Sequence, residues 1–171
     1  MNRHLFFAGW SILVLVALNG MIVQKEHVLN NGRVLLLPLA PRDPRSLMQG
    51  DYMAIRYAQP PDFDTLRNSL PFRGSVAFRL DARGVGVFSR VLPPGSKPAS
   101  DEIRVNYRKS RRGTWNGGDL LFAASSYLFQ EGRAQDFDRA RFGELRVAPS
   151  GECLLVNLRD EALKPIGKPV H

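Results

Sequence analysis

The scarcest residues in this chain exclude the most chemistry. Its 171 residues include one cysteine, Cys153, and three histidines. A lone cysteine leaves no internal disulfide, so folding does not depend on an oxidising compartment. Cys153 also lies far from any lipoprotein-like processing site. The histidines, His4, His27 and His171, sit at the two ends of the sequence. That placement argues against a histidine metal site or a Ser-His-Asp triad, and no metal and no cofactor is expected. Lysine is missing between Lys25 and Lys97. The chain has no Gly-x-Ser-x-Gly elbow and no Gly-x-x-x-x-Gly-Lys phosphate loop. Gly84-Val85-Gly86 lacks the third glycine and the following helix of a dinucleotide fingerprint, and returns directly to strand-forming residues.

Hydrophobic residues make up 44% of the chain, enough for one ordinary core in one domain. Leu5 to Val23 contains no charge; as a helix it is roughly 28 Å long, about the thickness of a bilayer's hydrocarbon core. A cleavable signal peptide has a shorter apolar region ending in small residues, and Ala17-Leu18-Asn19 and Asn19-Gly20-Met21 are poor cleavage sites. The expected organisation is therefore an uncleaved membrane anchor over residues 1–24 and one extracytoplasmic domain over residues 25–171. Arg3 and the amine before the segment favour a cytoplasmic N-terminus, which sends the domain outward. Lys25 and His27 after it weigh in the opposite sense.

Beyond the anchor the sequence reads as strands punctuated by turns, a mainly β, antiparallel domain with one or two short helices. Gly32 to Leu39 is an almost continuous aliphatic run and predicts a buried strand. Gly50-Asp51 opens a second strand, in which Met53, Ile55 and Tyr57 point inward while Tyr52, Ala54 and Arg56 share the opposite face. Phe63 to Asn68 predicts a helical turn. Ser75 to Val91 predicts a hairpin around Asp81-Ala82-Arg83-Gly84, with Val76, Phe78 and Leu80, then Val85, Val87 and Ser89, alternating with their neighbours. Ile103 to Arg108, Leu120 to Phe129 and Glu152 to Leu158 are further strand candidates, and Ala134 to Phe142 is the helix candidate.

All but one of the 24 basic residues, and all 16 acidic ones, lie beyond residue 23. The densest basic cluster is Arg104, Arg108, Lys109, Arg111 and Arg112, followed by Trp115 and Asn116-Gly117-Gly118. It reads as a loop with an aromatic tip, able to contact an anion or a partner. An extracytoplasmic location argues against nucleic acid and for phospholipid headgroups, envelope glycans or an acidic protein surface. A solvated loop that only maintains solubility is the plainer alternative.

Gly50-Asp51-Tyr52-Met53-Ala54-Ile55-Arg56-Tyr57 closely resembles the signature of the GDYXXLXY family, with Gly50, Asp51, Tyr52 and Tyr57 matching and Ile55 in place of leucine. The preceding Pro41 to Gln49, with Asp43-Pro44-Arg45, resembles that family's lead-in. Tyr127 to Val147, containing Glu131-Gly132-Arg133-Ala134 and Ala140 to Arg146, is similar to its C-terminal half. The resemblance implies a bacterial membrane-anchored protein of undefined biochemical role, with the domain on the periplasmic side of the inner membrane. Members are typically encoded beside a polytopic membrane protein, which makes such a protein the expected partner.

Three carboxylates fall inside these blocks: Asp51, Glu131 and Glu144. Two carboxylates a few ångströms apart can act as acid and base, but no spacing here places these three together. Asp51 is expected to cap its turn, and Glu144 to pair with a nearby arginine such as Arg141 or Arg146. Two readings follow: an accessory or interaction protein without catalytic residues, or an envelope enzyme or small-ligand sensor acting on an anionic glycan or lipid.

Overall fold

A computed structural model of the chain describes residues 3–40, 52–60, 63–66, 69–110, 119–129 and 134–166. Gly50, Asp51, Arg111, Arg112, Trp115 and Glu131 lie outside these residues, as does the side chain of Tyr52.

The first element is a single long helix, α1 (Arg3–Asn31), which continues past the apolar Leu5 to Val23 segment without a break. It is long and apolar enough to cross a membrane, and its apolar side chains from Trp10 to Val23 are exposed on all sides. Its more polar last two turns are held by tertiary contact. Val28 is buried against the domain, and Lys25 and Gln24 both reach the Glu152 carboxylate. The helix stops at Gly32, whose N–H returns to the Val28 carbonyl at 2.9 Å. A side chain at Gly32 has no room: its Cβ would lie 2.4 Å from the Val28 oxygen and 3.0 Å from the Val147 nitrogen.

The rest is mainly β and antiparallel, as the turn spacing predicts. One four-stranded sheet has the order β1-β8-β9-β10, formed by β1 (Arg33–Pro38), β8 (Phe142–Val147), β9 (Cys153–Arg159) and β10 (Pro165–Ile166). A second has the order β4-β3-β5-β6, formed by β3 (Arg73–Leu80), β4 (Gly86–Leu92), β5 (Glu102–Lys109) and β6 (Leu120–Leu121). A ribbon of β2 (Tyr52–Ala54) and β7 (Ser126–Leu128) completes the set, with short helices α2 (Phe63–Leu66) and α3 (Ala134–Phe137). The sheets meet where Leu36 bridges Val85, and where the Asn106 N–H on β5 reaches the Gly151 carbonyl in the β8–β9 turn at 2.8 Å. Leu35, Leu37, Val76, Val105, Leu145 and Leu158 fill the shared core. Leu35, Leu36 and Leu37 are buried in succession because β1 is covered on both faces, which is why its sequence runs apolar instead of alternating.

Four local expectations are corrected. Leu120 to Phe129 is two strands in different sheets: after β6 the chain turns through Phe122 to Ser125, and β2 captures its second half as β7. The helix near Ala134 ends at Phe137, because Phe142 onward enters β8 between β1 and β9. In the hairpin, Leu80 and Val87 are exposed and Phe88 faces the core instead. A register shift opposite Ala77 and Phe78 leaves Ser89 as an extra residue and changes which side chains point inward. Glu144 pairs with Arg159 and with neither Arg141 nor Arg146, for the reason given below.

Candidate functional site

The described part of the signature segment, residues 52–57, lies between the two sheets and is bonded along both of its edges. On one side the Ile55 N–H donates to the Ser125 carbonyl at 2.7 Å, beyond the β2–β7 pairing. On the other, the Ala40 N–H reaches the Arg56 carbonyl at 2.9 Å and the Ala58 N–H reaches the Pro38 carbonyl at 2.8 Å. The segment therefore joins the exit of β1 to the β6–β7 connection. Strand alternation sends Met53, Ile55 and Tyr57 into the core and leaves Ala54 and Arg56 exposed, as the sequence predicts.

Tyr57 is the innermost of these side chains. Its hydroxyl donates to the Ala124 carbonyl at 3.2 Å, and its ring meets Phe122 edge-on with centroids 5.9 Å apart. Gly143 lies beneath it; a Cβ there would come within 3.3 Å of the ring. Burial pushes the phenol far above its ordinary pKa, so it stays protonated and serves as a donor. Gln59 extends the join: its amide nitrogen donates to the Tyr57 carbonyl at 2.8 Å, and its oxygen accepts from the Leu120 N–H at 2.9 Å. Outside, Arg56 grips Asp119 with two nitrogens at 2.7 and 3.1 Å. The described part of the signature is thus a brace between sheets.

The described members of the basic cluster do not converge on one point. Arg104 and Arg108 share one face of β5 and Lys109 takes the other. The Arg104 guanidinium donates to the Ser96 carbonyl, and its stem lies under Gly151. Lys109 donates to the Leu70 carbonyl at 2.9 Å, while Arg108 is exposed.

Of the three candidate carboxylates, only Glu144 is within the described residues. It is buried and accepts from the Arg159 Nε at 2.8 Å. Arg159 stands opposite Phe142, so it lies diagonal to Glu144 on the neighbouring strand and on the same face. Arg141 instead donates to the Asp138 and Ala140 carbonyls, and Arg146 to the Gly32 carbonyl.

A more deeply buried carboxylate, Glu102, escapes a reading of the sequence. Arg90 holds it through two nitrogens at 2.9 and 3.1 Å, Ser89 donates at 2.9 Å, and the Ala99 N–H donates at 2.9 Å. These contacts, the Arg90 hydrogen bond foremost, hold its pKa at about 2. The available signal was charge of both signs on successive strands, and only the register turns that into a network. Cys153 is equally enclosed: its thiol lies 2.6 Å from the Phe122 carbonyl, and burial, helped by Glu152, pushes its pKa up to about 12. It is a structural thiol and no nucleophile.

A family model described as GDYXXLXY protein matches residues 14–158. The match covers most of the chain, which therefore belongs to that family. No curated protein and no solved structure shows a match.

Proposed function

For this member of the GDYXXLXY family, we propose a non-catalytic accessory role at the bacterial inner membrane. In this reading α1 anchors the chain, the β domain stands on the periplasmic side, and the whole binds a polytopic membrane protein. The observation that carries it is the join between helix and domain. The apolar helix passes directly into Lys25, Val28 and Gly32, which are packed or paired against β8 and the start of β9, with no linker between them. A domain fixed to its anchor keeps a constant height and bearing over the bilayer, as a subunit of an assembly requires and a freely ranging enzyme does not. Four buried polar groups support the same reading. Tyr57, Glu102, Glu144 and Cys153 are all engaged by internal partners, which leaves none of them free for chemistry.

Affinity purification of the full-length chain from its native membrane in mild detergent tests this. One membrane protein with several spans, recovered in fixed ratio, is the expected result. A folded, anchored chain recovered alone would overturn the reading and shift attention to ligand binding around Asp51 and the Arg104 to Trp115 stretch.

A further inference from the structure

The helix carries two polar side chains, Asn19 and Glu26, along the stripe turned away from the domain. Val28 docks on the domain, and Asn19 precedes it by nine residues, which at 3.6 residues per turn places the two about 180° apart. Ile12, Leu15, Ile22 and Glu26 fall within roughly 60° of Asn19 on the same geometry. All are exposed. Their spacing alternates steps of four and three residues, the period at which one helix packs along another.

Two members of this stripe are out of place on a lone helix in lipid. The Asn19 amide nitrogen bonds back to the Leu15 carbonyl at 2.9 Å, and its oxygen has no partner among the described residues. A carboxamide inside the apolar stretch is costly in hydrocarbon unless a neighbouring helix completes its hydrogen bonds. Glu26 lies two turns further on, where the chain becomes polar, and pairs with no described residue, whereas Lys25 beside it is engaged by Glu152.

We propose that the face formed by Ile12, Leu15, Asn19, Ile22 and Glu26 is the docking surface for a membrane-spanning helix of a different protein. That helix would carry a hydrogen-bonding side chain at the depth of Asn19 and a lysine or arginine at the level of Glu26. Charge decides against a second copy of this chain. A parallel pair would satisfy Asn19 with Asn19 but would set Glu26 against Glu26, and like charges facing each other are destabilising. The inference rests on the accessory reading, to which it adds the surface used and the chemistry of the partner.

Photo-crosslinking in native membranes tests it, with a benzophenone amino acid placed singly at Ile12, Leu15 or Ile22, and at Trp10, Val14 or Met21 on the far side. Adducts to one other protein are expected from the first set, at least about 5-fold above the second. N19L should lower the partner recovered by about 3- to 20-fold, as loss of an interhelical hydrogen bond implies, and N19Q should restore most of it. Adducts of the first set to a second copy of the chain, or equal labelling from both sets, overturn the proposed surface. A partner recovered by affinity but never crosslinked to α1 overturns this inference and leaves the accessory reading standing. If neither method finds a partner, both fall.

Discussion

At Tyr57 one side chain joins three segments: its own strand, the Ala124 turn through its hydroxyl, and the Gly143 end of β8 beneath its ring. Removing only the hydroxyl in Y57F should lower stability by about 1 kcal/mol. Y57A should cost about 3–5 kcal/mol through the cavity it opens, and chemical denaturation checks both. Cys153 should resist maleimide in the folded protein at pH 8 and react fully once denatured, because a thiol with a pKa of about 12 is rarely a thiolate there. Rapid labelling of the native chain would contradict its enclosure. Glu102 predicts a pH signature. Its folded pKa lies below its ordinary value of 4.5, so its ion pair contributes fully above that value and is lost as pH falls from about 4.5 towards about 2. The melting temperature of the wild type should fall through that window more steeply than that of E102Q. The inward set Met53, Ile55 and Tyr57 was legible because alternation needs only local sequence. The partner of Glu144 was not, because diagonal pairing depends on a register that the sequence does not display.

Among the elements, the join between α1 and β8 depends on close backbone approach at Gly32. G32A should displace the helix end or strain it, at a cost of about 1–3 kcal/mol, read as a lower melting temperature of the full-length protein in detergent. A neutral G32A would show that the helix does not rest on the Val147 backbone. Strand β1 and the β3–β4 hairpin were legible as elements, since an apolar run bounded by turns and a four-residue turn carry their own signals. The alternation through Val85, Val87 and Ser89 did not carry along β4, because one extra residue at Ser89 reverses the faces on either side of it and puts Phe88 against the core. Strand β8 was not read from the sequence, and its first residue, Phe142, was assigned to the helix, because Ala140 to Glu144 has no clear alternation; its conformation comes from lying between β1 and β9, a non-local cause. Likewise β6 and β7 merge in the sequence and separate in space because β2 claims the second. The last turns of α1 escaped notice for the same reason: Gln24 to Asn31 is not apolar, and contact with the domain keeps it helical.

For the whole molecule, an apolar helix is packed directly on a β domain, with a signature segment that braces the sheets and a helix stripe carrying Asn19 and Glu26 turned outward. Family and general architecture were readable from the octad and the turn spacing, whereas the join of helix and domain was visible only in the structure. In the proposed role this chain is one subunit of a heteromeric membrane assembly. Native mass spectrometry of complexes extracted gently from the native membrane tests that claim most directly. The 19.2 kDa chain is expected in fixed stoichiometry with one different, larger membrane protein. A spectrum holding only the monomer, or only multiples of 19.2 kDa, would contradict it.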